Sequence, residues 1–146
     1  NRRGFMLFAQ QQLSIAIRTK RGMILFFIHI EGLNGITEKL GRQYEDLAKI
    51  ETANILKEIF RESDIIARHG RDEFTAMAIE SFDANNEIII TRLQDELENR
   101  NKQENRQYEL SLCIGKAYYD TEELCTIEEL INRAKKSMIE QKKNTL

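Results

Sequence analysis

The sequence predicts an α+β fold, an α/β sandwich close to the split βαβ arrangement, in which helices pack on a sheet that includes a hairpin. Three observations predict it: amphipathic helical patterns alternate with short apolar segments, one segment is apolar throughout, and one pair is joined by a Gly-containing turn. The 146 residues include no Pro and 7 Gly, so we expect one domain over residues 1–146. Because "NRRGF" leads directly into an apparent helix, we expect this domain to be a fragment of a longer multidomain protein.

The first half of the chain predicts helices around a central strand. Apolar residues at three- and four-residue steps predict a helix from Phe5 to Ile17. Its expected inward residues are Phe5, Phe8, Leu13, Ala16 and Ile17. Met23 to Ile30 is apolar but for one His and is typical of a central strand buried on both faces. "EGLNGITEKLG" predicts a turn and a short helix, and a long helix follows from Tyr44 to Phe60. Its expected inward residues are Leu47, Ile50, Ala53, Leu56 and Phe60.

The second half predicts a hairpin, a helix, a strand and a last helix. Strands from Ile65 to Arg68 and from Glu73 to Ile79 flank a turn at His69 to Asp72. A helix follows, marked by Ile89, Ile90, Leu93 and Leu97. Alternating residues predict a strand that runs towards Tyr119, with a drier face formed by Tyr108, Leu110, Leu112 and Ile114. The last helix buries Ile127, Leu130, Ile131, Ala134 and Met138.

Composition excludes several classes of function. The net charge of -2 and the pI near 5.8 give no reason to expect a nucleic-acid partner. The longest apolar run, "MILFFIHI", is far shorter than the roughly 20 residues that span a bilayer, so we expect no membrane contact by this part of the protein. Two Cys are too few for a disulfide framework, which favours a cytoplasmic location, although a longer parent protein could be membrane-anchored.

The stretch "FRESDIIARHGRDEF" resembles the signature of GGDEF domains, the bacterial diguanylate cyclases, with Arg71 in place of the second Gly. Four other stretches follow the family in register: "NRRGF", "HIEGLNGITEKLGRQYED", "LSLCIGKA" and "INRAKKSMIEQKK". The resemblance implies a central, mostly antiparallel sheet wrapped by helices, similar to the palm of adenylyl cyclases and polymerases. It also implies a homodimer in the full-length protein that joins two GTP into cyclic di-GMP with Mg²⁺ or Mn²⁺.

The resemblance assigns catalysis and metal binding to the hairpin tip and the end of the central strand. The degenerate signature, with catalytic carboxylates Asp72 and Glu73, comprises Gly70, Arg71, Asp72, Glu73 and Phe74. The implied metal positions are His29, Ile30 and Asp72, and Glu31 matches a further family carboxylate. His29 stands where the family has Asp, and imidazole suits Mn²⁺ better than Mg²⁺. The alternative is that His29 is a half-buried strand residue whose ring bonds a backbone group.

The resemblance also implies nucleotide contacts at Thr37, Asp46 and Lys142. Thr37 replaces a guanine-reading Asn and offers one hydroxyl where the amide offered both a donor and an acceptor. Arg71 could fill the space of the nucleotide, bind a phosphate, or be an exposed cation on a hairpin tip. Lys142 could equally be a favourable charge near a helix C-terminus.

"RESD" keeps both residues of the family's inhibitory cyclic di-GMP site, which correspond to Arg61 and Asp64. An Arg at a helix end followed by an Asp in a turn would give the same pattern without a ligand.

Three hypotheses follow for the function. Changes at His29, Thr37 and Arg71 affect metal binding, base reading and phosphate approach, which favours a catalytically impaired regulatory domain that binds cyclic di-GMP or GTP. The first alternative is an active cyclase that uses an unusual metal set. The second is a dimerisation or docking domain that needs no ligand and no metal.

Overall fold

A computed structural model describes residues 2–79 and 85–144. The described chain alternates helices and strands in the order predicted from the sequence. Its elements are α1 (Arg2–Thr19), β1 (Met23–Glu31), α2 (Leu33–Leu40), α3 (Arg42–Ile59), β2 (Ile65–Gly70), β3 (Glu73–Ala78), α4 (Asn85–Asn101), β4 (Ser111–Tyr119) and α5 (Ile127–Asn144).

The four strands form one antiparallel sheet in the order β2-β3-β1-β4. The apolar run of β1 therefore lies inside the sheet, where β3 and β4 pair with its two edges. Every residue from Met23 to Ile28 is buried, which confirms the predicted central strand. β2 continues to Gly70, two residues beyond the predicted end, so the turn itself contains only Arg71 and Asp72.

Helices cover both faces of this sheet, which confirms the α/β sandwich. On one face, Leu25 and Phe27 belong to a core with α1 and α5. On the other face, Phe26 and Ile28 pack in a second core with α2, α3 and α4. The alternation of side chains along β1 divides its apolar residues between the two cores, because successive residues of a strand point to opposite faces.

The predicted inward faces of α1 and α3 were wrong in part. Phe8 and Ile17 are exposed, whereas Ala9 is buried. Leu47 and Ile50 remain 49% and 56% exposed. The buried face of α3 is instead formed by Glu45, Ala48, Thr52, Ile55 and Leu56. Small residues let these helices approach the sheet closely, so the larger apolar residues lie on another side of the helix.

The predicted drier face of β4 was wrong in part, since Leu110, just before the strand, is buried but the other predicted residues are not. Leu112 and Ile114 are only half-buried, and the buried residues are Cys113, Gly115, Ala117 and Tyr119. Gly115 explains the reversal, because a Cβ there would lie 2.1 Å from the carbonyl oxygen of Ala134 and 2.3 Å from the backbone nitrogen of Met138. The backbone of α5 therefore packs directly against this face of the strand.

Candidate functional site

The tip of the hairpin lies beside the end of the central strand. The backbone N–H of Ile30 donates to the carbonyl of Asp72 at 2.8 Å, and His29 pairs with Glu73 across β1 and β3. Phe74, the last residue of the signature, is buried opposite Ile28. The register between the two strands therefore brings the predicted metal and catalytic positions to one corner of the sheet.

At this corner, His29 links the hairpin to the last helix. Its Nε2 lies 2.9 Å from Oδ2 of Asp72, and its Nδ1 lies 2.9 Å from Nζ of Lys142. A neutral imidazole with its proton on Nε2 satisfies both contacts, since it donates to the carboxylate and accepts from the ammonium group. The partners of the ring are thus two charged side chains rather than the backbone group expected in the alternative reading of His29.

The residues at this corner do not fit a Mg²⁺ site. Mg²⁺ prefers oxygen ligands in octahedral geometry, yet both ring nitrogens of His29 are engaged and the ammonium of Lys142 adjoins the ring. Within residues 2–79 and 85–144, no group of three or more His, Cys, Asp or Glu could hold a metal ion. Glu31 lines a separate cavity of about 390 Å³ together with Glu87 and Lys116.

Next to this corner, a buried carboxylate contacts Thr37, one of the three positions that the family resemblance assigns to the nucleotide. The side chain of Glu45 is 7% exposed. It accepts hydrogen bonds from the Thr37 hydroxyl at 2.6 Å, from Nζ of Lys49 at 3.1 Å and from Nη2 of Arg71. Nη1 of Arg71 also donates to Oδ1 of Asn34 at 2.8 Å. Arg71 therefore bridges from the hairpin to both α2 and α3.

These donors keep Glu45 ionised. The hydrogen bond from Thr37, together with those from Arg71 and Lys49, lowers the pKa of Glu45 to about 2. Asp46, the next residue and the predicted base contact, is exposed on α3. The geometry agrees with two of the three alternatives for Arg71: its guanidinium contacts Glu45 and Asn34 between the hairpin and the helices, and its side chain is 47% exposed at the hairpin tip.

Sequence reasoning missed Glu45. A signal was present, because Glu45 shares the buried face of α3 with Ala48 and Thr52 at three- and seven-residue spacings. A carboxylate at such a position needs cationic or hydrogen-bonding partners, which Arg71 and Lys49 supply.

At the other end of the hairpin, Asp64 organises a turn. Its side chain is 3% exposed, and its carboxylate accepts from the backbone N–H groups of Arg61 and Ile79, each at 3.0 Å. Nη2 of Arg61 donates to the carbonyl of Ile79 at 2.6 Å and lies 3.4 Å from Oδ1 of Asp64. The Arg61 side chain nevertheless remains 62% exposed.

The antiparallel sheet with helices on both faces, and the acidic hairpin tip beside its central strand, agree with the fold that the resemblance to GGDEF domains implies. The family model described as "Diguanylate cyclase, GGDEF domain" matches residues 1–145. The chain belongs to the GGDEF family.

Two relatives from Pseudomonas aeruginosa align over most of the chain. The bifunctional diguanylate cyclase/cyclic di-GMP phosphodiesterase MucR is 26% identical over 123 residues, which cover 84% of this chain and 18% of MucR. The cyclic di-GMP phosphodiesterase NbdA is 28% identical over 130 residues, which cover 88% of this chain and 16% of NbdA. The chain thus spans less than a fifth of either relative. Both names place this family in cyclic di-GMP signalling.

Solved structures show the same fold. The GGDEF domain of TpbB, also called YfiN, from P. aeruginosa superposes with a TM-score of 0.88 at 24% identity, over 99% of this chain and 84% of that one. The GGDEF domain of DgcB from Caulobacter crescentus, solved in complex with c-di-GMP, gives a TM-score of 0.88 at 16% identity, over 99% and 85%. Among the described residues of this chain, no helix is long and apolar enough to cross a membrane.

Proposed function

We propose that this GGDEF domain is a catalytically impaired regulatory domain in cyclic di-GMP signalling. The observation that carries the proposal is the chain of contacts from Asp72 through His29 to Lys142. It places an imidazole where the family resemblance implies a metal-binding Asp, and this ring engages the carboxylate of Asp72, the other side chain among the implied metal positions.

The chemistry of phosphoryl transfer explains why replacing a metal-binding Asp by His29 is expected to reduce the reaction rate. The family reaction depends on hard divalent cations that neutralise the triphosphate and activate the attacking hydroxyl. Each 1.4 kcal/mol of lost transition-state stabilisation slows a reaction about tenfold, so a lost metal carboxylate is expected to reduce turnover by orders of magnitude. Neither Mg²⁺ nor Mn²⁺ is required for the regulatory role.

The test is a cyclase assay on the purified protein that contains this domain. GTP is incubated with Mg²⁺ or with Mn²⁺, and cyclic di-GMP is measured by chromatography. We expect no product above that of the Asp72→Asn variant. Product that this substitution abolishes would overturn the proposal in favour of an active cyclase.

The exposed guanidinium of Arg61 favours a second candidate, in which the domain binds cyclic di-GMP at Arg61 and Asp64. The planar guanidinium of arginine can donate two parallel hydrogen bonds to a phosphate group or to the edge of a guanine. The buried carboxylate of Asp64 would act mainly by holding Arg61 in place.

Calorimetry with cyclic di-GMP tests the idea. We expect the protein to bind cyclic di-GMP, the Arg61→Ala variant to lose this binding, and the Arg42→Ala variant, an exposed control on α3, to retain it. A protein that binds no cyclic di-GMP would instead favour the ligand-free docking domain.

We further propose that the domain belongs to a longer multidomain protein that acts as a homodimer. The small fraction of MucR and NbdA that this chain spans supports the first part. Sedimentation of the full-length protein tests the second, and a monomer at all concentrations would contradict it.

A further inference from the structure

We propose that Glu45 is an internal anion that occupies the donors of Arg71, Lys49 and Thr37 beside the hairpin and thereby excludes nucleoside triphosphates. The inference rests on the proposed loss of catalysis and goes further, since it concerns ligand binding rather than turnover. Neither the family resemblance nor the relatives assign a role to this residue.

The first step is the nature of the donors. A guanidinium, an ammonium and a hydroxyl converge on one carboxylate: those of Arg71, Lys49 and Thr37. Charged nitrogen donors and hydroxyl groups of this kind are what proteins use to bind phosphate oxygens. The cluster is therefore built like an anion site whose anion is part of the chain.

The second step is competition. An incoming phosphate would have to displace the Glu45 carboxylate from these donors. A tethered group competes at an effective concentration on the order of millimolar or above, without the entropy loss that a free ligand incurs on binding. Because the pKa of Glu45 is about 2, the carboxylate stays charged at neutral pH and does not leave by protonation.

The third step is geometry. Arg71 reaches Asn34 in α2 as well as Glu45 in α3. Its guanidinium thus spans the gap between the hairpin and both helices. If a ligand displaced only the Glu45 carboxylate, the Arg71 side chain would still lie across the gap. If it displaced Arg71 as well, the buried Glu45 carboxylate would lose one of its two cationic partners.

The experiment removes the charge of Glu45 and measures GTP binding by calorimetry. We expect Glu45→Gln, which keeps the size of the side chain, to bind GTP about tenfold or more tightly than the unaltered protein, because Arg71, Lys49 and Thr37 become available. The double variant Glu45→Gln with Arg71→Ala is expected to lose this gain. Glu38→Gln, on the exposed surface of α2, makes the same change in net charge and should give no gain.

Three outcomes would overturn the inference. They are an unchanged affinity in Glu45→Gln, an equal gain in Glu38→Gln, and a gain that persists without Arg71. Glu45→Ala, checked for folding by circular dichroism, serves as a second variant if Glu45→Gln does not fold.

The unaltered protein provides an independent test by carbon NMR of the Glu45 carboxyl group. We expect inorganic triphosphate to leave this signal unchanged, and a shift at micromolar triphosphate would contradict the exclusion. Tight GTP binding without product would overturn only this inference, whereas product formation would overturn the proposed function as well.

Discussion

The two ends of the β2–β3 hairpin both rely on an arginine and a carboxylate, yet the contacts differ in kind. At the tip, Arg71 contacts Asn34 in α2 and Glu45 in α3, and the Glu45 carboxylate is buried. At the base, Arg61 contacts Asp64 three residues away and the carbonyl of Ile79, and its side chain is 62% exposed, against 47% for Arg71. The tip joins the hairpin to α2 and α3, whereas the base closes the turn before β2 onto the residue that follows β3.

This difference underlies our two proposals, that the hairpin excludes ligands at its tip and binds one at its base. A buried carboxylate needs its cationic partners, so removing one partner is strongly unfavourable. The guanidinium of Arg61 is the more exposed of the two, and its Nη2 lies 3.4 Å from Asp64, so we expect Arg61 to exchange this partner for a ligand more readily than Arg71 exchanges Glu45.

The largest expected effect on stability comes from Gly115→Ala in β4, which acts on the hairpin tip through the packing of α5. Lys142 reaches His29 because α5 packs directly on β4, and an alanine Cβ would clash with the backbone of α5. We expect the free energy of unfolding to fall by about 3 kcal/mol in urea denaturation, at the upper end for overpacking. Ser111→Ala, exposed at the start of the same strand, is the control. A loss no larger than that of the control would mean that α5 moves freely.

The next largest effect is expected for Asp64→Ala at the base. Its buried carboxylate accepts backbone hydrogen bonds from Arg61 and Ile79. Leaving these donors without a partner should lower the free energy of unfolding by about 1–3 kcal/mol. Glu62→Ala, an exposed neighbour, should change it little. Equal effects of the two substitutions would show that Asp64 does not hold the turn.

The pH dependence of stability separates the tip from the base. The pKa of Glu45 is lowered from 4.5 to about 2, so its contribution to stability is complete above pH 4.5 and is lost as the pH falls towards 2. Arg71→Ala should raise this pKa and remove part of the contribution. We therefore expect the difference in urea midpoint between the unaltered protein and Arg71→Ala to be larger at pH 6 than at pH 2.5. A difference independent of pH would contradict the role given to Glu45.

The smallest effect is expected for Arg61→Ala, which should change the free energy of unfolding by no more than about 0.5 kcal/mol, because the side chain is exposed. Thermal unfolding measures it beside Asp64→Ala. A loss as large as that of Asp64→Ala would show that Arg61 is a structural residue and would weaken its proposed role in cyclic di-GMP binding.

Much of the fold could be predicted because single segments carry the information. The run from Met23 to Ile30 is so apolar that both of its faces must be buried. The two strands of the hairpin are separated by turn residues around Gly70, which the sequence shows directly. The errors arose where tertiary packing decides. The buried faces of α1, α3 and β4 include small residues such as Ala9, Ala48 and Gly115, which count little in an apolar pattern but allow close approach.

The candidate site was predictable in its positions but not in its contacts. The family signature located Arg71 and Asp72, and a separate stretch located His29; the hairpin tip and the end of β1 do meet at one corner of the fold. One partner of His29, however, is 113 residues away in Lys142, and the resemblance gave Glu45 no role although this residue lies within a stretch that follows the family. Such contacts depend on how α3 and α5 pack, which no local pattern records.

The small size of Gly115 also bears on how the chain finds its native pairing during folding. A strand that slips by one residue turns every side chain to the opposite face. If β4 slipped against β1, Ile114 or Lys116 would meet the backbone of α5 at a point where even one methyl group does not fit. Gly115 therefore helps to specify the register of β4, since only the native register allows α5 to dock on this strand.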